Sequence, residues 1–180
     1  MFRLAHISDT HLGPLPEVSG RDLLSKRIMG YVNFRRNRSR PGQPEIVRYL
    51  ANHLNSLASD HTAITGDLIN IGLDKEIINA RLWLESLGDA RNHTVILGNH
   101  DAYVRGAREK AFEAWQEWVT GDDGAKVTSS DDYPVVRRRG EVSIIGLNSA
   151  RASAPFLATG SFRKRQAERF QNLLEAEGRK

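Results

Sequence analysis

The 180-residue chain is long enough for one domain with a sizeable core. Its 39% hydrophobic and 27% charged residues have the balance of a soluble protein, and no apolar run nears the ~18 residues that span a membrane. Cysteine is absent, which excludes disulfides and thiolate metal sites; with no charged-then-apolar leader at Met1, the expected location is the cytoplasm.

In chain order, Phe2 to Ile7 reads as a strand running into Ser8-Asp9-Thr10-His11. Asp9 and His11, two apart on an extended backbone, would point the same way. A carboxylate oxygen beside an imidazole nitrogen suits Mn, Fe or Zn. The net charge of +4 is unevenly spread. Between Arg21 and Arg40 seven Lys or Arg stand against Asp22 alone, leaving the rest of the chain slightly acidic. Leu24, Ile28, Tyr31 and Val32 recur there at helical spacing, with Leu23 and Phe34 alongside. Residues from about 17 to 44 are therefore expected as a basic helical insertion over the rim beyond Asp9 and His11. It reads either as a lid for an anionic substrate or as a solvated basic face; binding to anionic lipid is the less expected use.

After Pro41-Gly42-Gln43-Pro44, the spacing of Ile46, Val47, Leu50, Leu54 and Leu57 predicts an amphipathic helix over Glu45–Ala58. Thr62 to Thr65 is a strand ending in Gly66-Asp67, with Asn70 read as a loop-shaping residue. A second helix follows over Asp74–Leu87, closed by Gly88. Thr94 to Leu97 is a third strand, ending in Gly98-Asn99-His100-Asp101. Asn99 can offer a carbonyl oxygen to a hard cation, His100 can carry a proton near neutral pH, and Asp101 could hold that ring. Gly106–Val119 is predicted as one helix with Phe112, Trp115 and Trp118 towards the core, then Gly121–Asp132 as a polar turn. Tyr133–Arg138 and Glu141–Leu147 read as an antiparallel hairpin with its arginines in water. Asn148 ends that hairpin, and Gly160-Ser161 is expected to cap a last helix over Phe162–Glu175.

Each polar cluster alone is equally a turn with a capping acid. Three of them at the carboxyl ends of strands in one parallel sheet would instead gather Asp9, His11, Asp67 and Asn99 on one rim, where open α/β sheets bind ligands. The ordered set Asp9-x-His11, Gly66-Asp67 and Gly98-Asn99-His100-Asp101 resembles the calcineurin-like metallophosphoesterase family, and more closely its bacterial class III cyclic-nucleotide phosphodiesterase branch. The similarity runs from Phe2 to about Leu174. It implies a four-layer α/β/β/α sandwich and a centre of two divalent ions (Mn, Fe or Zn) that hydrolyses a phosphomonoester or phosphodiester with metal-activated water. By position, Asp9 and His11 match ligands of one metal, Asp67 the bridging carboxylate, and Asn99 a ligand of the second. His100 matches the histidine that acts as acid or transition-state clamp, with Asp101 its orienting partner.

The chain departs from that pattern in one respect. The family completes its site with later histidines, including a Gly-His-x-His motif, whereas none of this chain's six histidines follows His100. His6, His53, His61 and His93 sit inside or at the start of their predicted elements, away from the rim. The expectation is therefore a domain over 1–180 that is incomplete after the first sheet and part of the second. Such a domain is either a metal-dependent phosphohydrolase or a metal-binding but catalytically silent module, holding as few as one metal. Its expected partner is a phosphate-ester substrate. Nucleic acid is not expected, because the basic stretch lacks interleaved aromatics and any reader motif.

Overall fold

The computed structural model describes residues 1–38, 43–154 and 157–178. Arg40 and the Pro41-Gly42 break lie outside the described residues. Three short strands, β1 (Leu4–Ile7), β2 (His61–Thr65) and β3 (His93–Ile96), form a parallel sheet in the order β1-β2-β3. Their Thr, Ile and Val residues suit a sheet covered on its faces, and Ile64 and Val95 are fully buried. The register pairs Ile7 with Ile64 and Thr65 with Ile96. The three carboxyl ends therefore finish nearly level, and the loops that follow them leave from one edge of the sheet.

The hairpin is present as β4 (Val135–Arg139) and β5 (Val142–Gly146), antiparallel. It packs on the parallel sheet: a Cβ on Gly146 would come within 2.6 Å of Ile96 Cδ1. The result is the expected mixed α/β arrangement, a parallel sheet with helices and a second, two-stranded sheet. Arg138 is exposed as the sequence led us to expect, but Arg137 is not in water. Val135, Arg137 and Arg139 share one face of β4, and Arg137 is buried. Its guanidinium donates to the carbonyls of Thr120 (3.0 Å), Ala90 (2.6 Å) and Glu117 (2.7 Å). Arg138 pairs with Glu177 and Arg139 with Asp122.

Six α-helices are described: α1 (Arg27–Asn33), α2 (Gln43–Ser56), α3 (Asp74–Ser86), α4 (Ala107–Ala114), α5 (Gln116–Val119) and α6 (Lys164–Glu177). A π-helical turn, Phe34–Arg38, continues α1. The single helix expected over Gly106–Val119 is broken at Trp115 (φ −107°, ψ 24°). The buried indole of Trp115 donates to Ile77 O of α3 at 3.0 Å, and Trp83 of α3 donates to Val47 O of α2 at 3.3 Å. The last helix starts at Lys164 rather than Phe162, and Ser161 does not cap it. The Ser161 amide instead donates to Ser149 O at 2.9 Å. No described helix is long and apolar enough to cross a membrane.

Only part of the apolar side expected of the basic segment packs: Tyr31 lies against Ile71, Leu73 and Tyr103 and Phe34 is buried, whereas Leu24, Ile28 and Val32 are exposed. Contact is made through Gly30, where a Cβ would come within 2.6 Å of both Ile71 Cγ2 and Tyr103 Oη. A side chain at that position would hold α1 off the loop, so the smallest residue sets the docking face. Arg27 fixes the contact by donating to the carbonyls of Ile71 (3.1 Å) and Gly72 (2.6 Å).

Candidate metal centre

The loop after β1 follows the loop after β2 as though the sheet continued. Asp9 N donates to Gly66 O (3.1 Å), His11 N to Asp67 O (2.9 Å) and Leu12 N to Leu68 O (2.7 Å). The backbone here is not extended, contrary to the spacing argument for Asp9 and His11. Both are left-handed, with φ of 55° and 41°, and so is Asp67 at 55°. Side-chain-bearing residues in this region cost about 1–3 kcal/mol each and persist where their surroundings over-determine them. Among the described residues four non-glycines have positive φ, and three of them are residues that the sequence marks as metal ligands.

Two glycines allow the loops to meet. A Cβ on Gly66 would lie 2.5 Å from Gly98 N, and one on Gly98 would lie 2.2 Å from Asp67 Oδ1. The backbones after β2 and β3 thus touch at the point where Asp67 leaves the chain. Two buried carboxylates then gather the amides of the loop after β2. Asp101 accepts from Asp67 N (2.8 Å), Ile69 N (3.1 Å) and Gly98 N (2.8 Å). Glu76, in the first turn of α3, accepts from Asn70 N (2.8 Å), Ile71 N (3.1 Å) and Leu73 N (3.0 Å). Burial pushes the Asp101 carboxyl up to about 7, against the downward pull of the Gly98 amide; the Asp67 charge adds to the rise, and the Ile69 and Asp67 amides oppose it.

Asp101 is therefore not the partner that orients His100. That partner is a carbonyl: His100 Nδ1 lies 2.6 Å from Asn70 O. His11 Nδ1 is likewise 3.2 Å from Ile69 O. A carbonyl only accepts, so both Nδ1 atoms carry hydrogen, and in the neutral rings both Nε2 atoms present a lone pair. This is the way metal-ligating imidazoles are usually held. Asp67 completes the group. Its Oδ1 accepts from His100 N at 2.8 Å, and its Oδ2 lies 4.0 Å from His11 Nε2. One ligand atom each from His11, Asp67 and His100 lie within 4.8 Å of one another.

Asp9 is outside this group; Asp9, Asn99 and Asp67 together line a cavity of about 320 Å³, whose other walls include Ser149, Ala150 and Thr159. Asp67 thus faces both a histidine-rich side and an oxygen-rich side. Asn148 does not line the cavity. It is buried, its Oδ1 accepting from Ala150 N and its backbone exchanging hydrogen bonds with Gln166 of α6. The remaining histidines bond elsewhere: His6 to Thr65, His61 to Thr94 and His93 to Asp89 O, while His53 stacks on Tyr49. Asn70 is loop-shaping, with Nδ2 donating to Leu12 O at 3.1 Å.

Sequence reasoning missed Glu76. The signal was available, because an acid at the third position of a helix can reach back to the amides before it. Tyr103 was also missed; its ring stacks on His100 with centroids 5.5 Å apart.

No curated protein matches the chain. The family model for calcineurin-like phosphoesterases matches residues 2–164, and the chain belongs to that family.

Proposed function

We propose that this calcineurin-like phosphoesterase is a metal-dependent phosphohydrolase acting on a phosphomonoester or phosphodiester. One observation carries the reading: two imidazoles locked by carbonyls at Nδ1 converge with the Asp67 carboxylate to within 4.8 Å. The donor set fits a divalent ion. Imidazole nitrogen with carboxylate oxygen is chemistry for Mn, Fe or Zn, and the residues offer no thiolate. His11 and Asp67 would hold one ion, with Asp9 able to join from the adjoining cavity. Asp67 and Asn99 would face a second. Bound ions would polarise the phosphoryl group and acidify the attacking water.

The chain's own residues do the rest. Asp67 lies between the two sides and can give an anionic oxygen to each. His100 can donate from Nε2 only as imidazolium, because Nδ1–H is already committed to Asn70 O. In that state its Nε2–H can protonate or clamp a leaving oxygen. The resemblance of the motif set to the class III branch makes phosphodiesters the first substrates to try.

The catalytically silent alternative is favoured by a specific feature. The cavity beside Asp67 and Asn99 is lined by Ser149, Ala150, Ala158, Thr159 and Gly160, without an imidazole. Elemental analysis of the purified chain, paired with turnover of bis(p-nitrophenyl) phosphate and with Asp67→Ala as the blank, tests both readings. We expect one tight equivalent and a rate at least about a hundredfold below that of a two-metal family member. Hydrolysis equal to the Asp67→Ala blank supports the silent module. Two tight equivalents with full turnover would mean that ligands come from outside the described residues.

A further inference from the structure

The basic segment brings one cation near the site, and among the described residues that cation makes no ion pair. Lys26 Nζ lies 4.4 Å from the centroid of the Tyr103 ring, which is itself stacked on His100 at 5.5 Å. In series these distances put the ammonium no more than about 10 Å from the centre of the His100 ring. Lys26 also donates to Ser153 O at 3.1 Å and approaches Ser153 Oγ at 3.4 Å. Ser153 follows closely on Ser149 and Ala150, which wall the cavity at Asp67 and Asn99. Lys26 therefore joins the basic segment, the ring stack that ends at His100, and the chain segment closing the cavity.

The ammonium is half-buried, and among the described residues it makes no ion pair with a carboxylate. Its neighbour Arg27 is different: that guanidinium is committed to the carbonyls of Ile71 and Gly72. Dehydration without a counter-charge pulls the Lys26 pKa below the ordinary lysine value. Among the described residues this partly desolvated cation is met only by a carbonyl, a hydroxyl and a π-face, and it gains from an anion, which adds charge attraction to the hydrogen bond.

We infer that Lys26 is a specificity residue for a second anionic group on the substrate, so that the site prefers a phosphate ester carrying a further phosphate to one carrying none. The inference rests on the phosphohydrolase reading. It concerns recognition, and Lys26 takes no part in bond breaking.

The test uses a matched pair of chromogenic diesters, thymidine 5′-(p-nitrophenyl phosphate) and the same molecule bearing a 3′-phosphate. Both are assayed with the manganese-loaded chain. The wild type should have the higher kcat/KM for the 3′-phosphorylated substrate, through KM. Lys26→Met keeps much of the aliphatic stem but removes the charge, and should reduce that ratio about tenfold. Lys26→Arg should restore most of it. An equal loss on both substrates would show a structural role and overturn the inference, as would a ratio unchanged in Lys26→Met. If the wild type hydrolyses neither substrate, the phosphohydrolase reading fails by itself. Calorimetric binding of thymidine 3′,5′-bisphosphate against thymidine 5′-monophosphate then decides the subsite. A preference for the bisphosphate that is lost in Lys26→Met upholds it, and no preference overturns it.

Discussion

Replacing Gly98 by Ala should damage metal binding far more than it damages the fold. An alanine Cβ would meet Asp67 Oδ1 at 2.2 Å, Asp67 Cγ at 2.9 Å and Asp67 N at 2.6 Å. Reaching the ordinary 3.4 Å requires Oδ1 to move by about 1.2 Å. The carboxylate cannot simply swing aside, because Oδ1 holds His100 N at 2.8 Å and the Asp67 amide is held by Asp101 at 2.8 Å. Overpacking of this kind costs about 1–3 kcal/mol, which in a domain of this length lowers the melting temperature by roughly 2–12 °C. Metal ligands tolerate only about 0.2 Å of displacement, so affinity for Mn²⁺ should fall at least tenfold and up to about a hundredfold. Calorimetric titration of metal-stripped protein measures it. Gly88→Ala is the control: Gly88 has φ 103° but nothing within 4 Å of its would-be Cβ, so it tests backbone strain without contact. It should lower the melting temperature and leave Mn²⁺ affinity intact. If Gly98→Ala bound Mn²⁺ as tightly as the wild type, Asp67 would not be a ligand in the position described.

Three further outcomes are expected. Asp101→Asn replaces one acceptor oxygen with a donor facing backbone N–H groups, and should cost about 2–4 kcal/mol, read from the urea midpoint; a change below about 1 kcal/mol would contradict the amide-gathering role. Arg137→Met leaves three partly buried carbonyls without their donor and should cost about 3 kcal/mol by the same measurement, with Arg137→Lys recovering only part of it. Burial, with Arg139 and Arg137 nearby, depresses the His61 pKa from 6.5 to about 4. The unfolded chain therefore takes up a proton that the folded one refuses, so stability is unaffected above about pH 6.5 and declines as pH falls towards about 4. His61→Gln should flatten that decline between pH 6.5 and 4.5, and an identical pH slope in the variant would rule His61 out as its source.

The strands, their parallel sense and the three polar strand ends were legible because they depend on local pattern. Ile64 and Val95 lie in short β-branched runs, and each run stops at or just before a glycine. The ligand candidates were legible as residue types, but not in their backbone shape. Nothing in Ser8-Asp9-Thr10-His11 announces left-handed dihedrals, which come from the loop's pairing with residues 66–68. Arg137 was misread for a similar reason. Its three acceptors lie between 17 and 47 residues away in sequence, so an arginine that looks solvated is satisfied inside. Asp101 adjoins His100 in the chain, and adjacency suggested a pair. The side chains diverge instead, the carboxylate to backbone amides and the ring to Asn70 O. The break at Trp115 reflects a large side chain seeking an acceptor on α3, a demand that helix periodicity does not record.

The two buried carboxylates have a consequence for how the centre would be loaded. Glu76 and Asp101 between them engage the amides of Asp67, Ile69, Asn70, Ile71 and Leu73, so most of the donors on that loop are spoken for without any cation. In hydrogen exchange these amides should be slow in the stripped protein and barely slower after loading. A site shaped this way does not choose its ion by folding around it. The ion that arrives must fit a mould already cast, and the rate of arrival is set by how fast it sheds its own water.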